Sequence, residues 1–178
     1  FYLDRGQEVG ALVSRKLAAS PPGFGQGTVF AVEPNADVLA LGRRFLAGLG
    51  LSGPVAVEFK QDPAGRYWLI EPNAGRTEYC VDLAIQAGLN LPVIEYSFAT
   101  GRGLPAGATA GLSARVWYDT DKDPDCYRAF RAAEPARAAA PPVFPFVGHA
   151  DPGPAVAAAI LRGAGQLRSA AARLIRRR

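Results

Sequence analysis

The chain of 178 residues has no methionine, one histidine, two cysteines and two tryptophans. Each scarcity narrows the chemistry. His149 is the only imidazole and sits in a Pro/Gly-rich stretch, which argues against a histidine-based nucleophilic triad within the chain. Cys80 and Cys126 lie far apart and fit neither a metal-ligand nor a redox spacing. Free thiols in a reducing, cytoplasmic compartment are therefore expected. No stretch reads as a signal segment, and no apolar run is long enough to span a bilayer. The missing methionine, with a start at Phe1-Tyr2-Leu3 inside an apolar strand, is expected of a piece of something longer.

Acidic side chains are absent from Pro154 onward, where six arginines stand at 162, 168, 173, 176, 177 and 178. The net charge of +4 is thus a property of the tail, and the main body is slightly acidic. Val156, Ile160, Ala164, Leu167, Ala171 and Leu174 recur at three- and four-residue steps, which predicts an amphipathic helix over 155–178 weakened by Gly163 and Gly165. A terminal helix docked on the domain with a solvated Arg face is favoured over a contact for anionic lipid or nucleic acid. No aromatic residue interleaves these arginines, so a stacking platform for single strands is not expected.

Upstream, the pattern alternates between strand and helix signals. Phe1–Leu3 and Val9–Leu17 read as paired strands around the turn cluster Asp4-Arg5-Gly6-Gln7. Ser20–Thr28 reads as a Pro/Gly loop. Asn35 or Asp37 can cap a helix running to about Leu49, with Gly50 as its stop. Thr77–Ala87 reads as a helix capped by Thr77 and ended by Gly88, followed by a second from about Pro92 to Gly101. Ala114–Tyr118 alternates like a strand, Pro124–Ala139 reads as helical, and Pro141–Pro154 as irregular.

Between these lies the segment with the most chemistry. Val57-Glu58-Phe59-Lys60 and Tyr67-Trp68-Leu69-Ile70-Glu71-Pro72-Asn73 are two apolar strands joined by Asp62-Pro63-Ala64-Gly65, each carrying a carboxylate where a strand prefers an apolar residue. Acids on a half-buried hairpin cost free energy unless a cation meets them. Oxygen ligands of this type suit Mg²⁺ shared with substrate phosphates. Two registers are open. A type I turn with Asp62 paired to Gly65 places Glu58 opposite Leu69 and makes Glu71 its diagonal neighbour on the same face. A three-residue loop with Gly65 left-handed slips the pairing by one and sends the two acids to opposite faces. A third reading leaves Glu58 and Glu71 as edge-strand residues facing water; Val57, Phe59, Leu69 and Ile70 favour a covered hairpin instead. Lys60 shares a face with Glu58 under strict alternation. Arg15 and Lys16 must point to opposite faces of their strand, so only one can serve the site.

Gly-x-x-Gly-Pro-Val-Ala-Val-Glu58-Phe-Lys60, a short turn, then Leu-Ile-Glu71-Pro-Asn73-Ala-Gly-Arg76, resembles the C-terminal half of an ATP-grasp ligase. Arg15-Lys16-Leu17 before Pro21-Pro22-Gly23, and Ala87-Gly88-Leu89-Asn90-Leu91-Pro92, are similar to segments of ATP-grasp carboxylate–amine ligases. Members commonly read Glu-x-Asn-x-Arg, whereas here Gly75 displaces Arg76 by one residue. The resemblance covers roughly residues 1–101 and implies an α+β fold there, an antiparallel sheet with packed helices; a continuation over 102–154 and the Arg-rich amphipathic helix over 155–178 are expected to follow it. It implies ATP and Mg²⁺ as cofactors, with Glu58, Glu71 and Asn73 as metal ligands and Lys16, Arg15, Glu58 and Glu71 binding nucleotide. Arg76 and Lys60 act on the reacting groups. The implied reaction is ADP-forming activation of a small-molecule carboxylate for attack by an amine or another nucleophile. The family's N-terminal lobe, with its adenine contacts and lysine loop, is absent, so the segment alone is expected to be inactive. A regulatory nucleotide-binding module of the same fold is the alternative, as is a structural α/β domain with an anion-binding Arg tail.

Two further motifs carry less. Pro22–Thr28 is glycine-rich but lacks the Gly-Lys-Ser/Thr ending of a phosphate loop and reads as a mobile loop. Asp119-Thr-Asp121-Lys-Asp123-Pro124-Asp125 has the spacing of a calcium loop's first ligands, yet Pro124 stands where glycine is required and Phe130 where the bidentate Glu belongs. It reads as a solvated acidic turn.

Overall fold

The computed structural model describes residues 1–109, 111–145, 147, 151–161 and 163. Residues Phe1–Val143 form one compact unit and Phe144–Arg178 another. In the first, the opening hairpin joins β1 (Tyr2–Asp4) to β2 (Gln7–Gly10). Its two-residue turn puts Arg5 at φ 47° and Gly6 at φ 79°, the left-handed pair whose twist suits a tight hairpin. The continuous strand expected over Val9–Leu17 is divided. Strand β2 ends at Gly10, and Leu12 packs into the cluster of Tyr2, Leu89 and Ile94 as the chain crosses to a second sheet. There β3 (Ser14–Ser20) pairs with β4 (Gln26–Val32). Three consecutive apolar residues, Ala11-Leu12-Val13, mark that crossing, because a half-buried strand would alternate. The Pro/Gly loop is shorter than expected, since Gln26–Thr28 already belongs to β4, and Phe24 stands exposed at its tip.

Helix α1 (Ala36–Leu46) is capped by Asn35, whose side chain accepts from the Val38 N–H at 3.0 Å and donates to the Tyr67 hydroxyl at 2.9 Å. It ends at Leu46, ahead of the expected Leu49, because Gly48 turns left-handed at φ 77°; Leu49 is left exposed. Strands β5 (Gly53–Gln61) and β6 (Tyr67–Ala74) complete the first sheet, ordered β2-β1-β5-β6 and antiparallel throughout. Helix α2 (Val81–Ala87) is closed by Gly88 at φ 109°, and α3 (Leu91–Ala99) is capped by Asn90. Strand β7 (Val116–Tyr118) lies against β4. Helix α4 (Cys126–Ala133) stops six residues before the expected Ala139, because Glu134 precedes Pro135 and leaves the helical region at φ -131° and ψ 60°; a short 3₁₀ turn follows at Arg137–Ala139. In the segment expected to be irregular, β8 (Pro142–Val143) pairs parallel to β7, with proline tolerated at a sheet edge.

The chain is thus α+β. Its strands divide between two sheets where one antiparallel sheet was expected, and the second sheet, β3-β4-β7-β8, is mixed. Side chains alternate across β1 to build two cores. Leu3 packs with Leu46 and Val55 on the α1 side, and Tyr2 packs with Leu89 and Ile94 on the α3 side. A third core joins Leu83 of α2 to Trp117 and Val143 of the second sheet.

In the second unit, residues 153–161 are helical. Of the amphipathic helix expected over 155–178, residue 162 and residues 164–178, which include all six arginines, lie outside the described residues, as does His149. Among the described residues no helix is long and apolar enough to cross a membrane.

Candidate functional site

The acid hairpin takes its geometry from its turn. The Asp62 carbonyl accepts from the Gly65 N–H at 2.9 Å, the Asp62 N–H donates to the Arg66 carbonyl at 2.9 Å, and Gly65 is left-handed at φ 83°. This is the three-residue loop, so Gln61 pairs with Tyr67, Lys60 with Trp68 and Phe59 with Leu69. The Asp62 carboxylate fastens the turn, accepting from Trp68 Nε1 at 3.0 Å, from the Arg66 N–H at 2.9 Å and from Arg66 Nε at 2.9 Å. These donors, Trp68 foremost, hold its pKa below the usual carboxylate value.

That register alone would put Glu58 opposite Ile70 and turn Glu71 away. A β-bulge between Glu58 and Phe59 intervenes, with Ile70 as the extra residue, and the next pair is Glu58 with Glu71. The expected Glu58–Leu69 pairing with Glu71 as a diagonal neighbour is therefore replaced by a direct cross-strand pair. Directly opposed residues share a face. Val55 and Val57 pack toward Leu3 and Leu46, so Glu58 and Lys60 occupy the opposite face of β5. Asn73, two residues beyond Glu71, lies on that face too.

The neighbours are specific. Asn73 Nδ2 donates to Glu71 Oε1 at 3.0 Å, and Arg76 Nη2 donates to Asn73 Oδ1 at 3.0 Å. From the second sheet, Lys16 Nζ lies 3.3 Å from Glu58 Oε1. Arg15 turns the other way and pairs with Glu33 at 3.1 Å, so of the two adjacent cations Lys16 meets the acids. Lys60, across from Trp68, makes no hydrogen bond or ion pair among the described residues. Strand β6 is an edge strand, and Trp68, Leu69 and Ile70 are exposed, contrary to the expected cover. The acids are accordingly open to water: the Glu58 side chain keeps 47% of its exposure and Lys16 keeps 45%.

A helix N-terminus beside Arg76 was expected from Thr77. The helix instead begins at Val81, and residues 75–80 are a bend, an irregular stretch and a turn, so the first helical turn does not start beside Arg76. The acidic turn is less solvated than expected: Asp119 is buried, with its carboxylate accepting from the Lys122 N–H at 3.0 Å. Burial pushes the Cys80 thiol up to about 12 and the Cys126 thiol up to about 11, which leaves both poor nucleophiles at neutral pH.

The bulge residue Ile70 is the positioning element that the pattern did not disclose directly. Its signal is the run Trp68-Leu69-Ile70, where alternation breaks immediately before Glu71. Chemically, the arrangement is a face with two carboxylates and an amide, flanked by one ammonium and one guanidinium. Among the described residues no three His, Cys, Asp or Glu side chains converge into a metal cage. Comparison with protein-family models, with curated proteins and with solved structures finds no match for this chain.

Proposed function

We propose that this chain is the C-terminal lobe of an ATP-grasp ligase and that the face of Glu58, Glu71 and Asn73 holds Mg²⁺ together with the phosphates of ATP. The observation that carries the reading is the direct pairing of Glu58 with Glu71, with Asn73 bound to Glu71 and Lys16 to Glu58. The donor set fits the ion. Two carboxylates and an amide oxygen are hard ligands, too few to enclose Mg²⁺ alone, and Mg²⁺ is usually held by one or two carboxylates, water and substrate phosphate. When bound, Mg²⁺ neutralises phosphate charge and favours in-line phosphoryl transfer.

The chain's own residues supply positioning and electrostatics. Lys16 offers an ammonium to phosphate oxygens, and Lys60, on the Glu58 face, offers a second. Arg76 presents a guanidinium that grips a substrate carboxylate, or the acyl phosphate made from it, through paired N–H donors. An amine then attacks the acyl carbon and phosphate leaves. No side-chain nucleophile is required, in keeping with the raised thiol pKa values. A non-catalytic nucleotide-binding module would use the same face for binding alone. ADP release by the full-length protein, tested with mixed carboxylates and amines, separates the two.

Glu71→Gln tests the site itself. Removing even an outer-shell partner of a metal ligand costs about 10–100-fold in metal affinity, so loss of a ligand charge is expected to weaken Mg²⁺-dependent ATP binding by at least roughly tenfold. Equal binding by wild type and variant in titration calorimetry would overturn the assignment.

A further inference from the structure

Two of the three oxygen ligands of the hairpin face, Glu58 and Asn73, are already engaged by cationic side chains. Lys16 Nζ sits 3.3 Å from Glu58 Oε1, and the Asn73 carbonyl oxygen is engaged by Arg76 at 3.0 Å. A divalent cation arriving alone must take Glu58 from an ammonium and Asn73 from a guanidinium, and it gains two like-charged neighbours in doing so. A polyphosphate arriving alone meets an ammonium already paired with Glu58, a guanidinium held on a neutral amide, and two carboxylates that repel it. When both ligands arrive, each displaced group finds a charged partner. The cation takes the carboxylates, and the ammonium and guanidinium turn to phosphate oxygens.

We propose that Lys16 and Arg76 are exchangeable counter-cations of this site, released from Glu58 and Asn73 only when a divalent cation and a polyphosphate bind together. The inference rests on the reading of the site as a metal–polyphosphate site and adds the order in which it fills. The local structure permits the exchange. Lys16 stands on β3 with its stem over Gly27, where a Cβ would come within 3.0 Å of Lys16 Cδ, and its head is half exposed. An exposed ion pair is weak, so moving the ammonium costs little and the exchange is reversible.

The test is a change of sign. Mn²⁺ alone is titrated into the protein and followed by loss of the aqua-ion resonance signal, and preformed Mg²⁺–tripolyphosphate is titrated by calorimetry. Lys16→Ala is expected to tighten Mn²⁺ about threefold, because a competing charge is gone, and to weaken the tripolyphosphate complex about threefold, because a phosphate partner is gone. Lys16→Arg is expected to restore both values. A purely structural role for Lys16 would weaken both ligands together. Parallel movement, or no movement, in a variant with wild-type circular dichroism overturns the inference while leaving the site reading intact if the complex still binds. Failure of the wild-type chain to bind either ligand overturns both.

Discussion

At the scale of single residues, Gly75 decides where Arg76 points. It follows β6 at φ 79° and donates its N–H to the Pro54 carbonyl at 2.9 Å, which folds the chain back so that Arg76 reaches Asn73. The extra residue relative to Glu-x-Asn-x-Arg is thereby absorbed in a left-handed turn, and the arginine is not carried away from the amide. Nothing lies within 4 Å of a Cβ built on Gly75, so alanine there meets backbone strain alone. Gly75→Ala is expected to cost about 1–2 kcal/mol and to lower the melting temperature by about 2–8 °C. Relief of that strain moves Arg76 off Asn73, so weaker binding of Mg²⁺–tripolyphosphate should accompany the drop; a variant with unchanged melting and binding would show the turn to be incidental. The choice between Arg15 and Lys16 belongs to the same scale. Alternation places them on opposite faces and cannot say which face is which. Glu33, distant in sequence, settles it by pairing with Arg15.

At the scale of elements, the acid pair survives because two one-residue slips add up to one full strand period. The three-residue loop moves the partner of Glu58 from Leu69 to Ile70, and the bulge moves it on to Glu71, which returns the acid to the face of Glu58. Turn chemistry was legible: Asp62, Pro63 and Gly65 are the residues such a loop requires, although they permit a two-residue closure as well. The bulge was legible only as a broken alternation, because a bulge depends on what the partner strand offers and not on local preference. Of the two caps offered for α1, Asn35 is the one whose side chain accepts from the third residue on, and Asn90, to which no cap was assigned, does the same for α3. The start of α2 was misread because Thr77 makes no such bond and Cys80 is the residue that precedes the first turn. Deleting Ile70 separates the two slips. With the loop intact and the bulge gone, Glu71 follows Leu69 directly and remains opposite Glu58, so both acids and Asn73 should keep one face. Mg²⁺-dependent ATP binding is then expected to be retained, with far-UV circular dichroism largely unchanged; lost binding would mean that the local twist of the bulge, and not the pairing alone, aims the carboxylates.

At the scale of the whole unit Phe1–Val143, the division into two sheets was the part least visible in the sequence. Strand signals are local, whereas the sheet a strand joins is fixed by long-range packing, here by Leu12 leaving the first sheet and by α2 and α3 reaching different ones. Leu83 of α2 packs on Trp117, Ile94 of α3 packs on Tyr2, and the two helices are joined through Gly88 and Leu89. The helical pair therefore ties the sheets together, and loss of one sheet strips cover from the helix that supports the other. Such coupling predicts a single cooperative transition. The two tryptophans report on it separately, since Trp117 is 1% exposed in the second sheet and Trp68 is 56% exposed in the first. In Trp68→Phe, emission comes from Trp117 alone and should be blue-shifted and poorly quenched by acrylamide. In Trp117→Phe, it comes from Trp68 and should be red-shifted and readily quenched. Within each variant, denaturant midpoints from fluorescence and from far-UV circular dichroism are expected to coincide. If the Trp68 signal is lost at lower denaturant than the circular dichroism signal, the acid hairpin opens on its own, and the carboxylate face is then presented by a locally unfolding edge while the second sheet remains formed.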